Sequence, residues 1–305
     1  MNLLQQTKDL CNLYDIKPAR SKGQNFLIKE EIYNDIIATA YLKTDDVVLE
    51  VGPGLGFLTA KLARQASRVI AVELDDKLAE ILHIGLAARE IKNVDVVNED
   101  ILKIFNFFLP QNCGGTNSKQ ISDLKFQIPN KFQIQNSKFK IVANLPYNIT
   151  SIFLRKILSA EIKPSLMVLM LQKEVAERIV AKPPDMSLLA VSVQFYAYPE
   201  IVKIVAADNF WPMPAVDSAI VKFKIKKEKA ILNATDELKI NEKDFFRLIK
   251  IGFSSKRKML KNNLMAGYKI KSDEVENKLK NIGLDVKIRA ERLTVADWQK
   301  LLGEF

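Results

Sequence analysis

Short apolar runs alternate with helical patterns through the first two thirds of the chain, and this alternation restricts the fold more than any other feature. "VVLEVG", "RVIAVEL", "VDVVNED", "KIVANL" and "SLMVLML" have the length and β-branched content of strands. Between them stand "FLTAKLARQA", "KLAEILHIGLAA" and "SIFLRKILSA", with apolar residues at helical spacing. Strands that are apolar throughout need cover on both faces, which a parallel sheet with crossover helices supplies. The expected class is therefore α/β. After the last strand, "SAIVKFKI", a lysine-rich and turn-prone stretch leads into "EKDFFRLIKIGF", "SDEVENKLKNIG" and "VADWQKLLGEF", which read as helices. A boundary there gives two expected domains, residues 1–228 and a small helical domain over residues 229–305. One segment interrupts the alternation. Residues 111–140 are rich in Asn, Gln, Lys and Ser and repeat "KFQI" at 125–128 and 131–134, as a low-complexity insertion does. It is expected to be a surface loop.

The formal charge of +10 invites a polyanionic partner, and it is unevenly distributed. Residues 224–305 carry 20 Lys+Arg against 12 Asp+Glu, whereas residues 1–223 are nearly balanced. A solvated basic face and a nucleic-acid surface both fit that excess. His83 is the single histidine, which excludes a multi-histidine metal site, and no metal is expected. Cys11 and Cys113 form no metal-type pair and suit a reducing compartment. With no run of about 18 apolar residues and no apolar core at the N-terminus, a cytoplasmic location off the membrane is expected.

Chemistry concentrates at the strand ends. "VVLEVGPGLGFLTAKLA" runs a strand into Gly52, Gly54 and Gly56 and then a helix, so the backbone can approach a ligand at the helix N-terminus. A dinucleotide fingerprint would place glycine at 57, where Phe57 stands, which disfavours a pyrophosphate ligand. The next strand ends in Glu73, placed to accept from both ribose hydroxyls of a nucleoside. The third ends at Asp100, suited to an adenine amino group. Glycine turn, acid and acid on three successive strand ends describe an S-adenosylmethionine pocket better than an NAD pocket.

The fourth strand end is Asn144-Leu145-Pro146-Tyr147. Proline has no N–H and biases its predecessor toward extended geometry, so the strand stops there and presents an amide, a fixed carbonyl and a ring. An adenine exocyclic amine is a poor nucleophile because its lone pair is delocalised into the ring. The Asn144 side-chain oxygen and the Leu145 carbonyl can accept its two hydrogens, draw the nitrogen toward tetrahedral geometry and aim its lone pair at a methyl group. Tyr147 would stack on a base taken out of its helix. In isolation, the tetrapeptide is also an ordinary turn.

"SKGQNFLIKE", "EVGPGLGFLTAKLA", "VIAVEL", "NEDIL", "IVANLPYNITS", "MLQKEVAERIVAKP", "NFWPMPAVDSAIVKF", "GFSSKRKMLKNNL" and "IGLDVKIRAERLTVADW" together resemble the KsgA/RsmA family of bacterial small-subunit rRNA adenine dimethyltransferases. The resemblance implies a Rossmann-like class I S-adenosylmethionine-dependent methyltransferase domain followed by the small helical domain. It implies that Gln24, Asn25, Leu27, Gly52, Gly54, Gly56, Glu73, Leu74, Asp100, Ile101 and Asn144 contact S-adenosyl-L-methionine. It also implies that Phe210 covers the target base opposite Tyr147. The implied substrate is two adjacent adenosines in the 3′-terminal hairpin loop of 16S rRNA within the immature small subunit, dimethylated by a monomer. Arg257, Lys258 and Lys261 are the expected RNA contacts. Two other readings are an Erm-type enzyme acting on large-subunit rRNA and an assembly factor acting mainly by binding. A DNA adenine methyltransferase would more usually carry Asp-Pro-Pro-Tyr. Departures from the family pattern are the 111–140 insertion, Met186-Ser187-Leu188 in place of a Tyr-Gly-containing run, and Ala215 where a lysine is usual.

Overall fold

A computed structural model describes residues 2–18, 24–104, 139–226 and 241–305. The 111–138 part of the insertion, with Cys113, and residues 227–240 lie outside the described residues.

Among the described residues the strands are β1 (Phe26–Leu27), β2 (Val47–Val51), β3 (Arg68–Glu73), β4 (Val94–Asn98), β5 (Phe139–Asn144), β6 (Leu166–Gln172), β7 (Ala197–Val205), β8 (Phe210–Trp211) and β9 (Ser218–Ile225). Seven of them form one sheet in the order β4-β3-β2-β5-β6-β9-β7, and β1 pairs with β8 separately. The neighbours β4-β3, β3-β2, β2-β5 and β5-β6 are all parallel. Parallel neighbours need long crossovers. Helices α1 (Leu3–Leu13) and α2 (Glu30–Ala40) precede the sheet, while α3 (Phe57–Ala63), α4 (Asp76–Ala88), α5 (Ile101–Ile104) and α6 (Thr150–Leu158) follow β2, β3, β4 and β5. The chain steps outward from β2 to β4 and then returns to the other side of β2 as β5. That reversal opens a crevice at the carboxyl ends of β2 and β5, where ligands of such sheets bind.

The sheet is buried as its composition requires. Val48, Leu49, Val69, Ile70, Ile141 and Val142 are fully buried. One ion pair sits among them. Lys140 Nζ is 2.7 Å from Asp46 Oδ2 and also donates to the carbonyls of Ala40, at 3.1 Å, and Tyr41, at 2.6 Å, where α2 ends in a left-handed turn. Three oxygen contacts satisfy a charge that burial alone would penalise. His83 lies exposed on α4, as a bland helical residue.

The helices after β6 are α7 (Lys173–Val180), α8 (Leu188–Tyr196), α9 (Glu242–Gly252), α10 (Leu260–Tyr268), α11 (Ser272–Asn281) and α12 (Val295–Leu302). The chain divides into one unit of Met1–Lys173 with Val202–Lys222 and another of Glu174–Ile201 with Phe223–Phe305. This division differs from the single cut expected after residue 228. Residues 174–201 group with the C-terminal helices because Phe195 on α8 stacks on Phe245 of α9, with ring centroids 4.2 Å apart, and the Tyr196 hydroxyl donates to Glu242 at 2.9 Å. Met186 is buried in this second unit, its N–H donating to the Glu291 carbonyl, and Ser187 caps α8. Among the described residues no helix is long and apolar enough to cross a membrane.

Candidate functional site

A cavity of about 260 Å³ opens at the carboxyl ends of β2, β3 and β5, within the first unit. Its walls bring together residues that the sequence scatters over more than a hundred positions. From the first loop come Gln24, Asn25 and Leu27, from the turn after β2 Gly52 and Gly54, from the end of β3 Glu73 and Leu74, and from the turn after β4 Asp100 and Ile101. Asn144, Leu145, Pro146 and Tyr147 complete it.

The turn after β2 depends on glycine at Gly52, which has φ +67 and lies so close to Pro146 that an added Cβ would stand 3.2 Å from its Cδ. The cofactor turn and the candidate catalytic turn thus touch where only glycine fits. Gly56 is placed differently from the expectation. It starts α3 at φ +78, facing Leu82, and does not line the cavity. Its role here is helix entry.

Glu73 is 6 % exposed, and both its carboxylate oxygens are held by backbone donors. Oε2 accepts from the Gly54 N–H and Oε1 from the Asp75 N–H, each at 3.0 Å. Burial pushes its carboxyl above the ordinary range, against the pull of those two donors. The spare lone pairs of the carboxylate remain available to a hydroxyl-bearing ligand. Asp100 Oδ1 accepts from the Leu102 N–H at 2.8 Å and so caps α5. That bond orients the side chain and leaves its second oxygen for a ligand. This donor and acceptor set fits the nucleoside part of S-adenosylmethionine.

Glu50 lines the same cavity from inside β2 and was not among the expected site residues. Its signal was present, an acid within the apolar run "VVLEV" two residues before Gly52. It is 1 % exposed, and Oε2 has no hydrogen-bond partner. Burial pushes its carboxyl up to about 8, with the Glu73 carboxylate adding to the effect and Thr59 opposing it. Near neutral pH it is mainly a neutral acid.

At the end of β5 the Leu145 N–H donates to the Met170 carbonyl at 3.3 Å, which fastens the turn to β6. Asn144 Nδ2 donates to the Asn25 carbonyl at 3.5 Å, the long end of the hydrogen-bond range, and this orientation leaves Oδ1 as an acceptor. Tyr147 opens a short 3₁₀ turn, Tyr147–Ile149, and its hydroxyl lies 2.7 Å from Ser218 Oγ. Burial raises its phenol above the ordinary value. Phe210 lies outside the residues that line the cavity. At 2 % exposure, paired across from Leu27, it packs in the core cluster with Val205 and Ile220 rather than walling the cavity.

In the second unit, Phe245, Leu248 and Ile249 are fully buried on α9, while Lys256, Arg257 and Lys258 stand exposed in the turn before α10. Asn263 closes that turn by donating to the carbonyls of Gly252 and Ser255. Lys261 differs from the other cations. It is half-buried and paired with Glu276 at 2.8 Å, so its charge is already partly neutralised.

Comparison with known proteins gives a consistent result. Residues 17–305 match the family described as Ribosomal RNA adenine dimethylase. A protein of Dehalococcoides mccartyi, "Ribosomal RNA small subunit methyltransferase A", is 40 % identical over 304 residues, covering 100 % of this chain and 94 % of its own. A dimethyladenosine transferase from Plasmodium falciparum superposes with a TM-score of 0.70 at 26 % identity, covering 92 % of this chain and 97 % of its own. The 23S rRNA methyltransferase ErmE superposes with a TM-score of 0.65 at 25 % identity, over 92 % of this chain and 99 % of its own.

Proposed function

Because this chain belongs to the Ribosomal RNA adenine dimethylase family, we propose that it dimethylates the N6 amines of two adjacent adenosines in the 3′-terminal hairpin loop of 16S rRNA, acting as a cytoplasmic monomer on the immature small subunit. The methyl donor is S-adenosyl-L-methionine, which when bound supplies an electrophilic methyl group. One observation carries the reading: Asn144, Leu145 and Tyr147 share a single cavity with the Glu73 carboxylate.

On this reading Glu73 holds the ribose and Asp100 the adenine of the donor, with Leu74 and Ile101 as apolar cover. The Asn144 Oδ1 and the Leu145 carbonyl accept the two hydrogens of the target amine, which localises its lone pair toward the methyl group. Tyr147 stacks on the extruded base. The methylated nitrogen loses a proton to solvent after the methyl group arrives and its bond to the donor sulfur breaks, so a fixed general base is not needed before transfer. Both orientation and exclusion of water lower the barrier. The exposed Arg257 and Lys258 contribute phosphate contacts, and the division into a catalytic and an RNA-binding part follows these two roles.

ErmE-like geometry keeps large-subunit rRNA as the second reading, but relatives at 40 % identity over the whole chain carry the small-subunit name. Mass spectrometry of both rRNAs from cells lacking the protein, before and after its restoration, decides between them. Loss and return of dimethyladenosine near the 3′ end of the small-subunit rRNA is the expected result. A change confined to large-subunit rRNA would establish the Erm-type reading, and no change in either would leave binding as the main task.

A further inference from the structure

Ser218 opens β9 and is fully buried, with Ala219, Ile220 and Val221 after it equally buried. A hydroxyl in such a place is costly unless it is bonded. Its partner is the Tyr147 hydroxyl at 2.7 Å, and either group can donate. Burial space alone does not call for serine here, because alanine would fill the same volume without a polar atom. Tyr147 is only half-buried. Its hydroxyl satisfies the buried serine oxygen, and the serine in turn fixes the tip of the phenol.

The ground on which Ser218 stands is itself fixed. Its neighbour Asp217 accepts the Ala207 N–H on its carboxylate, at 3.1 Å, and the Lys173 N–H on its carbonyl, at 2.9 Å. At the other end of the phenol, the Ile149 N–H donates to the Pro146 carbonyl at 3.2 Å and closes the turn that carries Tyr147. The ring is therefore held at its backbone and at its far tip. A phenol tied at both ends cannot swing about its Cα–Cβ torsion without breaking the tip bond, and an aromatic face held in one place spends less entropy when a base stacks on it.

We infer that Ser218 is a positioning residue for methyl transfer, holding the tip of the Tyr147 ring, and so the ring itself, at the place where the target base stacks. The inference rests on the stacking role given to Tyr147 above. Ser218 does not touch the reacting atoms. It acts by keeping the base, and with it the amine, in line with the methyl group, where a displacement of an ångström lowers the rate steeply.

Three variants test it: Ser218→Ala, Tyr147→Phe and the two combined. Each single variant should slow single-turnover methyl transfer roughly tenfold, the worth of one hydrogen bond, and the double variant should be no slower than either, since all three lose the same bond. Cofactor affinity should stay within about twofold of the parent. A readout apart from activity is the distribution of Tyr147 among its Cα–Cβ rotamers in cofactor-free protein carrying labelled tyrosine, followed by NMR couplings and assigned with the Tyr147→Phe spectrum. One rotamer should dominate in the parent and more than one should be populated in Ser218→Ala. Additive rate losses, or a parent rotamer distribution in Ser218→Ala, would overturn the inference. If Ser218→Ala does not fold, Tyr147→Phe decides alone, and transfer at the parent rate overturns it. Tyr147→Ala separates this from the underlying reading: if that variant also transfers at the parent rate, the stacking role has failed and not merely the tie.

Discussion

The N–H of Gly54 donates to Oε2 of Glu73 at 3.0 Å, so the turn leaving β2 is tied to the acid that ends β3. With Oε1 held by Asp75 in the same way, the carboxylate is oriented by backbone donors and keeps lone-pair capacity for a ribose hydroxyl. Glu73→Ala should therefore weaken S-adenosylmethionine binding by about 1.5–3 kcal/mol. Titration calorimetry on the folded variant measures this. Unchanged affinity would remove Glu73 from the cofactor site.

Asn144→Ala should separate chemistry from binding. Removal of one positioned acceptor is expected to lower the transfer rate by about a hundredfold or more, with small-subunit affinity near the parent value. Tyr147→Ala should instead weaken the hold on the target base by about 1–3 kcal/mol. Single-turnover kinetics beside subunit-binding measurements give both quantities, and parent rates in both variants would place catalysis elsewhere.

Glu50 predicts a pH dependence of stability. Its carboxyl lies at about 8 in the folded chain against an ordinary 4.5, so between those values the folded state keeps a proton that the unfolded state has lost. Stability contributed by this group is complete below the lower value and declines as pH rises through the upper one. Glu50→Gln, neutral at every pH, should flatten that decline. Denaturant midpoints of cofactor-free protein at pH 5 and pH 8 test it, and an equally steep fall in the variant would assign the slope to another group.

The turn between α9 and α10 predicts salt dependence. Arg257→Glu with Lys258→Glu should weaken binding to the immature small subunit and reduce the slope of log affinity against log salt by about 1.4–1.8, the sum for two phosphate contacts. Cofactor affinity and thermal stability should hold. Lys261, paired with Glu276, should contribute less than either when replaced by alanine. An unchanged slope in the double variant would put the RNA footprint elsewhere.

Glu73 and Asn144 could be placed from the sequence because each ends a strand, and Asp100 because it follows one by two residues; parallel strands deliver their ends to one edge. Glu50 was equally visible as a lone acid in an apolar run. What escaped depended on partners far along the chain. The burial of Phe210 goes with its register against Leu27, and no local pattern carries that pairing. Residues 174–201 join the C-terminal helices because aromatic rings on α8 meet rings on α9 about fifty residues later. The difference between Arg257 and Lys261 is likewise set by a carboxylate on another helix. Gly56 matched a ligand-turn pattern, yet the close approach of Leu82 explains it by packing.

The buried contact of Lys140 with Asp46 and with the end of α2 has a bearing on how this gene can vary. Lys140 stands four residues before Asn144 on the same strand, and its anchorage defines where β5 starts irrespective of what chain precedes it. Insertions or deletions upstream of Phe139 are then absorbed before the anchor, as slack is taken up ahead of a cleat, and the reading frame of the catalytic turn against the cofactor turn is preserved.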